Sequence, residues 1–206
     1  MTDRLIMTAR LMMGAVYFIN GFNWFFKIIG PYPSISDFAH IAPPPDVVVA
    51  MIQNGMLFHM VKATELLTGI ALLSNRFVPL MLVAALPVTL PICLVDVFFV
   101  ATPRGFVMGG GSIILNIFLL LAYFSHYRTV LAHRGVPGFT EPASAPDSEG
   151  ALAAAISRFV GPIFPIFGIV AICFGAVMLC WLALLITQYA VHPMSFWEIH
   201  RAFAPR

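Results

Sequence analysis

Charge is what this chain has least of. Acidic and basic residues together make up 10% of its 206 residues and the formal net charge is +2, too scattered for a nucleic-acid surface, which needs clustered lysine and arginine with interleaved aromatics. No nucleic-acid partner is expected. Cysteine is nearly missing as well: Cys93, Cys173 and Cys180 fall inside apolar segments and no CxxC occurs, so neither a disulfide framework nor a zinc pattern is indicated. The three are expected to be small buried hydrophobes. Also missing are a GxGxxG or P-loop glycine pattern, a Gly-x-Ser-x-Gly elbow and an HExxH helix. What fills the chain instead is apolar, 60% of residues, with a mean hydropathy of +0.93. That composition lies outside the range of soluble domains and predicts an all-α integral membrane helix bundle.

Five segments approach or exceed the roughly 20 residues a bilayer requires: 4–29, 47–74, 77–101, 106–127 and 159–190. The first is expected to be retained and not cleaved as a signal peptide. Its apolar run is long, and Asn20, Asn23 and Trp24 stand where a small-residue cleavage site would be. Five spans place the termini on opposite sides. With the N-terminus inside, Arg4, Arg10, Arg76, Arg128, Arg134 and Arg158 face the cytoplasm, against Lys27, Arg104, Arg201 and Arg206 outside. The positive-inside rule therefore predicts a cytoplasmic N-terminus and a periplasmic C-terminus, in a bacterial inner membrane.

The loop GPYPSISDFAHIAPPPD carries five prolines and reads as a stiff outer connection, with Asp46 as N-cap of the second helix. Residues 135–158, rich in Pro, Gly, Ser and Ala, read as a cytoplasmic linker. It separates a four-helix unit, 1–134, from a fifth helix and tail, 159–206. In that tail HPMSFWEIHRAF sets Met194, Trp197 and Phe203 against Glu198, His200 and Arg201, the pattern of a short interfacial helix.

Polar residues are few enough inside the spans to be informative one by one. Lys62 and Glu65 sit near the centre of the second span, where charge is most costly. At a spacing of three they share a helix face, and His59 continues the stripe. Thr89, Cys93 and Asp96 form a second stripe, Ser112, Asn116 and Tyr123 a third, and Asn20, Asn23 and Lys27 a fourth. Four helices thus each direct polar groups toward the middle or outer half of the membrane, as around a polar cavity. Two readings stand side by side: ligand-binding or proton-handling groups, or a self-neutralising Lys62–Glu65 pair with asparagines as interhelical glue. Lys27 is expected to snorkel outward. Pro87 and Pro91 in the third span remove backbone donors and kink the helix, leaving carbonyls near Val83 and Pro87 in need of a partner. Gly109, Gly110 and Gly111, and Gly168 and Gly175, point to tight packing. The six histidines are split between the two sides and the middle; no metal site is expected, and a haem would need His59 together with a ligand from a second subunit.

The run RLMMGAVYFINGFNWFFKIIGPYP followed by KATELLTGIALLSNRFVPLML resembles the DoxX-like family of small four-helix membrane proteins. The resemblance rests on Arg10, on Gly21 with Trp24 and Lys27, and on Glu65, Gly69, Leu72 and Arg76, and it covers about residues 4 to 127. The family includes a membrane subunit of an archaeal thiosulfate:quinone oxidoreductase and relatives linked to redox stress, while others look like chaperones or cargo receptors. What it implies is a non-catalytic membrane subunit or assembly partner of a quinone-linked redox complex. Quinone or lipid would then be the small-molecule partner, with other membrane subunits, or further copies of the chain, beside it. The cysteine pair of the family's disulfide-active relatives is not present, so thiol chemistry is not implied. The charged cluster alone suggests an alternative, a carrier in which Glu65 titrates against Lys62 as protons or a small solute cross.

Overall fold

The computed structural model describes residues 2–26, 56–101, 103–127 and 158–191, and these are helical apart from short turns, with no strand among them. The proline-rich loop, the linker as far as Ser157 and the C-terminal tail lie outside the described residues, as do Lys27 and Asp46. Helix α1 is Thr2–Phe26, α2 Met56–Ser74, α3 Val78–Leu94, α4 Gly111–Ala122 and α5 Phe164–Val191. Among the described residues, four helices are long and apolar enough to cross a membrane: Thr2–Phe26, Met56–Ser74, Val78–Phe99 and Phe164–Leu184.

The remaining apolar helix, Phe106–Ala122, is shorter than the expected span 106–127. Two departures from α geometry shorten it. Its first turn, Phe106–Gly110, is wound as a π-helix, and beyond Ala122 the chain tightens into a 3-10 turn, Phe124–Tyr127. The Tyr127 hydroxyl then donates to Pro79 O at 2.9 Å, tying this end to the start of α3. α3 keeps α-helical winding through Pro87 and Pro91 and changes to π winding only at Val95–Val100. The two π segments pack on each other; a Cβ on Gly109 would lie 2.6 Å from Asp96 Cβ, so only glycine admits the contact.

Between α2 and α3 the chain reverses within Ser74–Asn75–Arg76–Phe77. Asn75 and Phe77 take left-handed φ values of 57° and 56°, Asn75 being one of the few residue types that does so at little cost. Arg76 N donates to Ala71 O at 3.0 Å, closing the end of α2, and Pro79 in the first turn of α3 has its φ preset for a helix.

The helices pack α1 on α2, α2 on α3, α3 on α4 and α4 back on α1, closing a ring, and α5 lies against α1 and α4. The tightest crossing is α1 on α2. A Cβ on Gly21 would fall 2.6 Å from Leu66 N, and one on Gly69 would strike Phe18 N and lie 2.6 Å from Phe18 Cα, so the two backbones touch there. α5 buries Gly168, Ala171, Gly175, Met178 and Leu182 on one face. Cys173 and Cys180 fall on the opposite face and are exposed, against the expectation of burial; Cys93 is half-buried. Large apolar side chains such as Met60, Leu67, Leu80, Phe98, Ile166 and Leu184 point outward, as they do where lipid is the solvent.

Candidate functional site

The bundle core is apolar at one level and polar at the next. Ala9, Met13, Val16, Leu72, Val78, Leu82, Ala85, Leu115, Phe118 and Leu119 fill it. Into this packing the sequence inserts Asn23, Lys62, Glu65, Thr68, Thr89, Ser112 and Asn116, all buried. Lys62 and Glu65 are 9% and 4% exposed, and Lys62 Nζ donates to Glu65 Oε2 at 2.8 Å. Counted along α2 from the turn at Asn75, Glu65 lies about 15 Å into the bundle and Lys62 about 20 Å, at 1.5 Å per residue. The ammonium also stands over the Phe58 ring, 5.5 Å from its centroid.

Around Glu65 the other helices contribute hydroxyls. The Tyr17 phenol of α1 is 2.7 Å from Thr89 Oγ1 of α3. Thr89 spends its one proton on Ala85 O, at 2.8 Å, so Tyr17 is the donor and Thr89 the acceptor. Ser112 of α4 and the Glu65 carboxylate are both close enough to the phenol to act on it. One layer of side chains thus draws on all four helices of the ring. Tyr17 is its hub.

One turn toward the α2–α3 turn lie Thr68, three residues after Glu65, and Asn116, four after Ser112. Asn116 Nδ2 reaches Leu82 O at 3.4 Å, beside the stretch of α3 that Pro87 deprives of a backbone donor. Its Oδ1 is buried without a hydrogen-bond partner, and so is Thr68 Oγ1. Thr64, Thr89 and Thr187 each donate to the carbonyl four residues earlier, at 2.9, 2.8 and 2.8 Å, whereas Thr68 makes no such bond.

The remaining candidates are His59, Asn20, Asn23 and Asp96. His59 is exposed at the far end of α2, edge-on to Trp24 with ring centroids 5.7 Å apart and 6.1 Å from Phe25; Trp24 also meets Phe58 at 4.7 Å. Asn20 is half-buried and Asn23 fully buried on α1. Asp96 is half-buried in the π segment at the α3–α4 end, packed against Gly109. Among the described residues no three His, Cys, Asp or Glu side chains are grouped as a metal site. Tyr17 and Thr68 were not among the candidates read from the sequence. The signals were present, since a phenol in mid-span needs a partner and Thr68 extends the three-residue spacing of Lys62 and Glu65.

Chemically, the layer offers a neutralised ion pair, a phenol and three further hydroxyls inside a low-dielectric core. Hydrogen bonds and charges there act more strongly than in water. No family model, curated protein or solved structure matches the chain.

Proposed function

We propose that the chain is a non-catalytic membrane subunit or assembly partner of a quinone-linked redox complex, its core polar layer serving a quinone or lipid headgroup. In this reading it is a DoxX-like four-helix unit followed by a fifth transmembrane helix, in the bacterial inner membrane with its N-terminus cytoplasmic. The observation that carries the reading is the Lys62–Glu65 pair. Burying two charges in hydrocarbon is costly, and the 2.8 Å bond within α2 neutralises the two against each other. Ionisable side chains kept at that depth mark a functional site. The closed ring of α1 to α4, with α5 against α1 and α4, supports the division into a four-helix unit and an added helix. The positions that carry the family resemblance also meet in space: Gly21 touches α2 at Leu66, Gly69 touches α1 at Phe18, and Arg10 reaches Asn75 beside Arg76.

Native mass spectrometry of the protein released from its own membranes in a mild detergent tests this. A stable assembly with redox subunits is the expected result. A lone chain, whose deletion leaves every respiratory activity intact, overturns the reading.

A second reading, a proton-coupled carrier of a small solute, draws on the polar side chains that continue from Lys62 and Glu65 through Tyr17 to Thr68 and Asn116. Reconstituted vesicles should then show pH-dependent flux that Glu65→Gln abolishes. Flux no greater than that of the variant eliminates it.

A further inference from the structure

At the end of the bundle that holds the α2–α3 turn, α1 carries a guanidinium with no counter-charge among the described residues. Arg10 is half-buried. One of its terminal nitrogens donates to the side-chain oxygen of Asn75, a neutral group, and its Nε is buried without a hydrogen-bond partner. No carboxylate among the described residues pairs with it; the ion pair they contain is Lys62–Glu65, a long way up α2. Arg76 follows Asn75 directly and is exposed, so the contact that anchors Arg10 also brings a second guanidinium to the same corner. A partly desolvated cation with a neutral partner is left needing an anion.

The surroundings say which kind. Met7 and Leu11, on either side of Arg10 along α1, are 52% and 40% exposed, and Phe77, next to Arg76, is 74% exposed. Two arginines at one corner with exposed apolar side chains as neighbours match an amphiphile, with a phosphate on the arginine forks and acyl chains against Met7, Leu11 and Phe77. Arginine is suited to that role because its planar donors meet phosphate oxygens two at a time, and basic corners between membrane helices are where anionic headgroups settle. We infer that Arg10 and Arg76, held together by Asn75, form a binding site for the phosphate of an anionic phospholipid. The site is separate from the core layer and does not depend on the function proposed above.

The test is native mass spectrometry of the full chain in a non-ionic detergent, titrated with phosphatidylglycerol and, separately, with phosphatidylcholine of the same acyl chains. Phosphatidylglycerol is expected to be retained preferentially, and Arg10→Gln and Arg76→Gln are each expected to weaken it about fivefold. Arg10→Lys keeps the charge but not the fork and should fall between wild type and Arg10→Gln. If Arg10→Gln does not fold, Arg76→Gln and Arg10→Lys carry the test, since Arg76 is exposed. Equal retention of the two lipids, or undiminished phosphatidylglycerol binding in the folded variants, overturns the site. Displacement of the bound lipid by an equal concentration of inorganic phosphate overturns the lipid assignment in favour of a free anion.

Discussion

Removing one charge of the Lys62–Glu65 pair should harm the protein more than removing both. In Lys62→Met the ammonium is replaced by an apolar side chain of similar length, and the Glu65 carboxylate, 4% exposed, loses the donor 2.8 Å away. Breaking a buried pair in this way costs about 3–5 kcal/mol, and insertion scales put a charged group at a helix centre at about 2.5–3.5 kcal/mol. Taking about 3 kcal/mol, and about 2–4 °C per kcal/mol for a chain of this size, the single variant should melt about 6–12 °C below wild type. Lys62→Met combined with Glu65→Leu leaves no charge to desolvate. It should melt within a few degrees of wild type or above it, because replacing a buried pair by apolar side chains is often neutral or stabilising. Tryptophan fluorescence melting in detergent micelles reads all four corners of the cycle, and the coupling should be favourable and about as large as the two single-variant costs together. Equal melting of wild type, both singles and the double would mean that water reaches the pair. The burial argument would then fail.

The other expectations are simpler. Gly21→Ala and Gly69→Ala each drive a methyl into the neighbouring helix backbone and should cost about 1–3 kcal/mol, whereas Gly110→Ala, whose new Cβ meets nothing nearer than Val97 Cγ2 at 3.8 Å, should leave the melting point unchanged; equal effects would refute the close approach. Tyr17→Phe removes the donor to Thr89 and should lower stability by about 1–3 kcal/mol, while a melting curve superimposed on wild type would remove Tyr17 from its place as hub. Beyond the end of α4, burial, with a smaller contribution from Tyr123, pushes the Tyr127 phenol up to about 12. Between the ordinary tyrosine range and that value the unfolded chain loses its proton and the folded chain keeps it, so stability falls as pH rises through that window. Tyr127→Phe should flatten that fall, and an unaltered alkaline limb would count against it.

Two layers of this architecture were legible in the sequence for definite physical reasons. Composition dictates helices, because a bilayer leaves no other way to pair the backbone of an isolated apolar segment, and the Lys62 to Glu65 spacing dictates their pairing. What could not be read is which helix supplies the partner for a given polar group. Pro87 marks the turn of α3 where carbonyls lose donors, and a donor does arrive close by, at Leu82 O, but it comes from Asn116, 34 residues on. Tyr17 meets Thr89 across 72 residues. Neither distance leaves a local pattern. The short fourth helix escaped notice for a related reason: hydropathy counts residues, whereas the π turn of Phe106–Gly110 and the 3-10 turn after Ala122 change the winding without changing how apolar the run is. Cys173 and Cys180 read as buried because apolar segments were equated with a core. In lipid the outer face is apolar too.

That last point bears on what the charges are for. Between helices in a bilayer the hydrophobic effect supplies little attraction, and adhesion comes from close packing and from hydrogen bonds. Both are found in this bundle. Glycine contacts fasten α1 to α2 at Gly21 and Gly69 and lodge α5 against its neighbours through Gly168 and Gly175; hydrogen bonds from Tyr17 and Asn116 fasten α1 to α3 and α4 to α3. If the pair serves a headgroup, folding and function separate at these two residues. The Lys62→Met with Glu65→Leu chain should keep its helix content, its melting point and its lipid at Arg10, yet lose the assembly or bound headgroup that native mass spectrometry finds on the wild type. A double variant that retains that partner unchanged would show that the core layer does not recognise it, and the site would have to be sought at the His59 and Trp24 end of α1 and α2 instead.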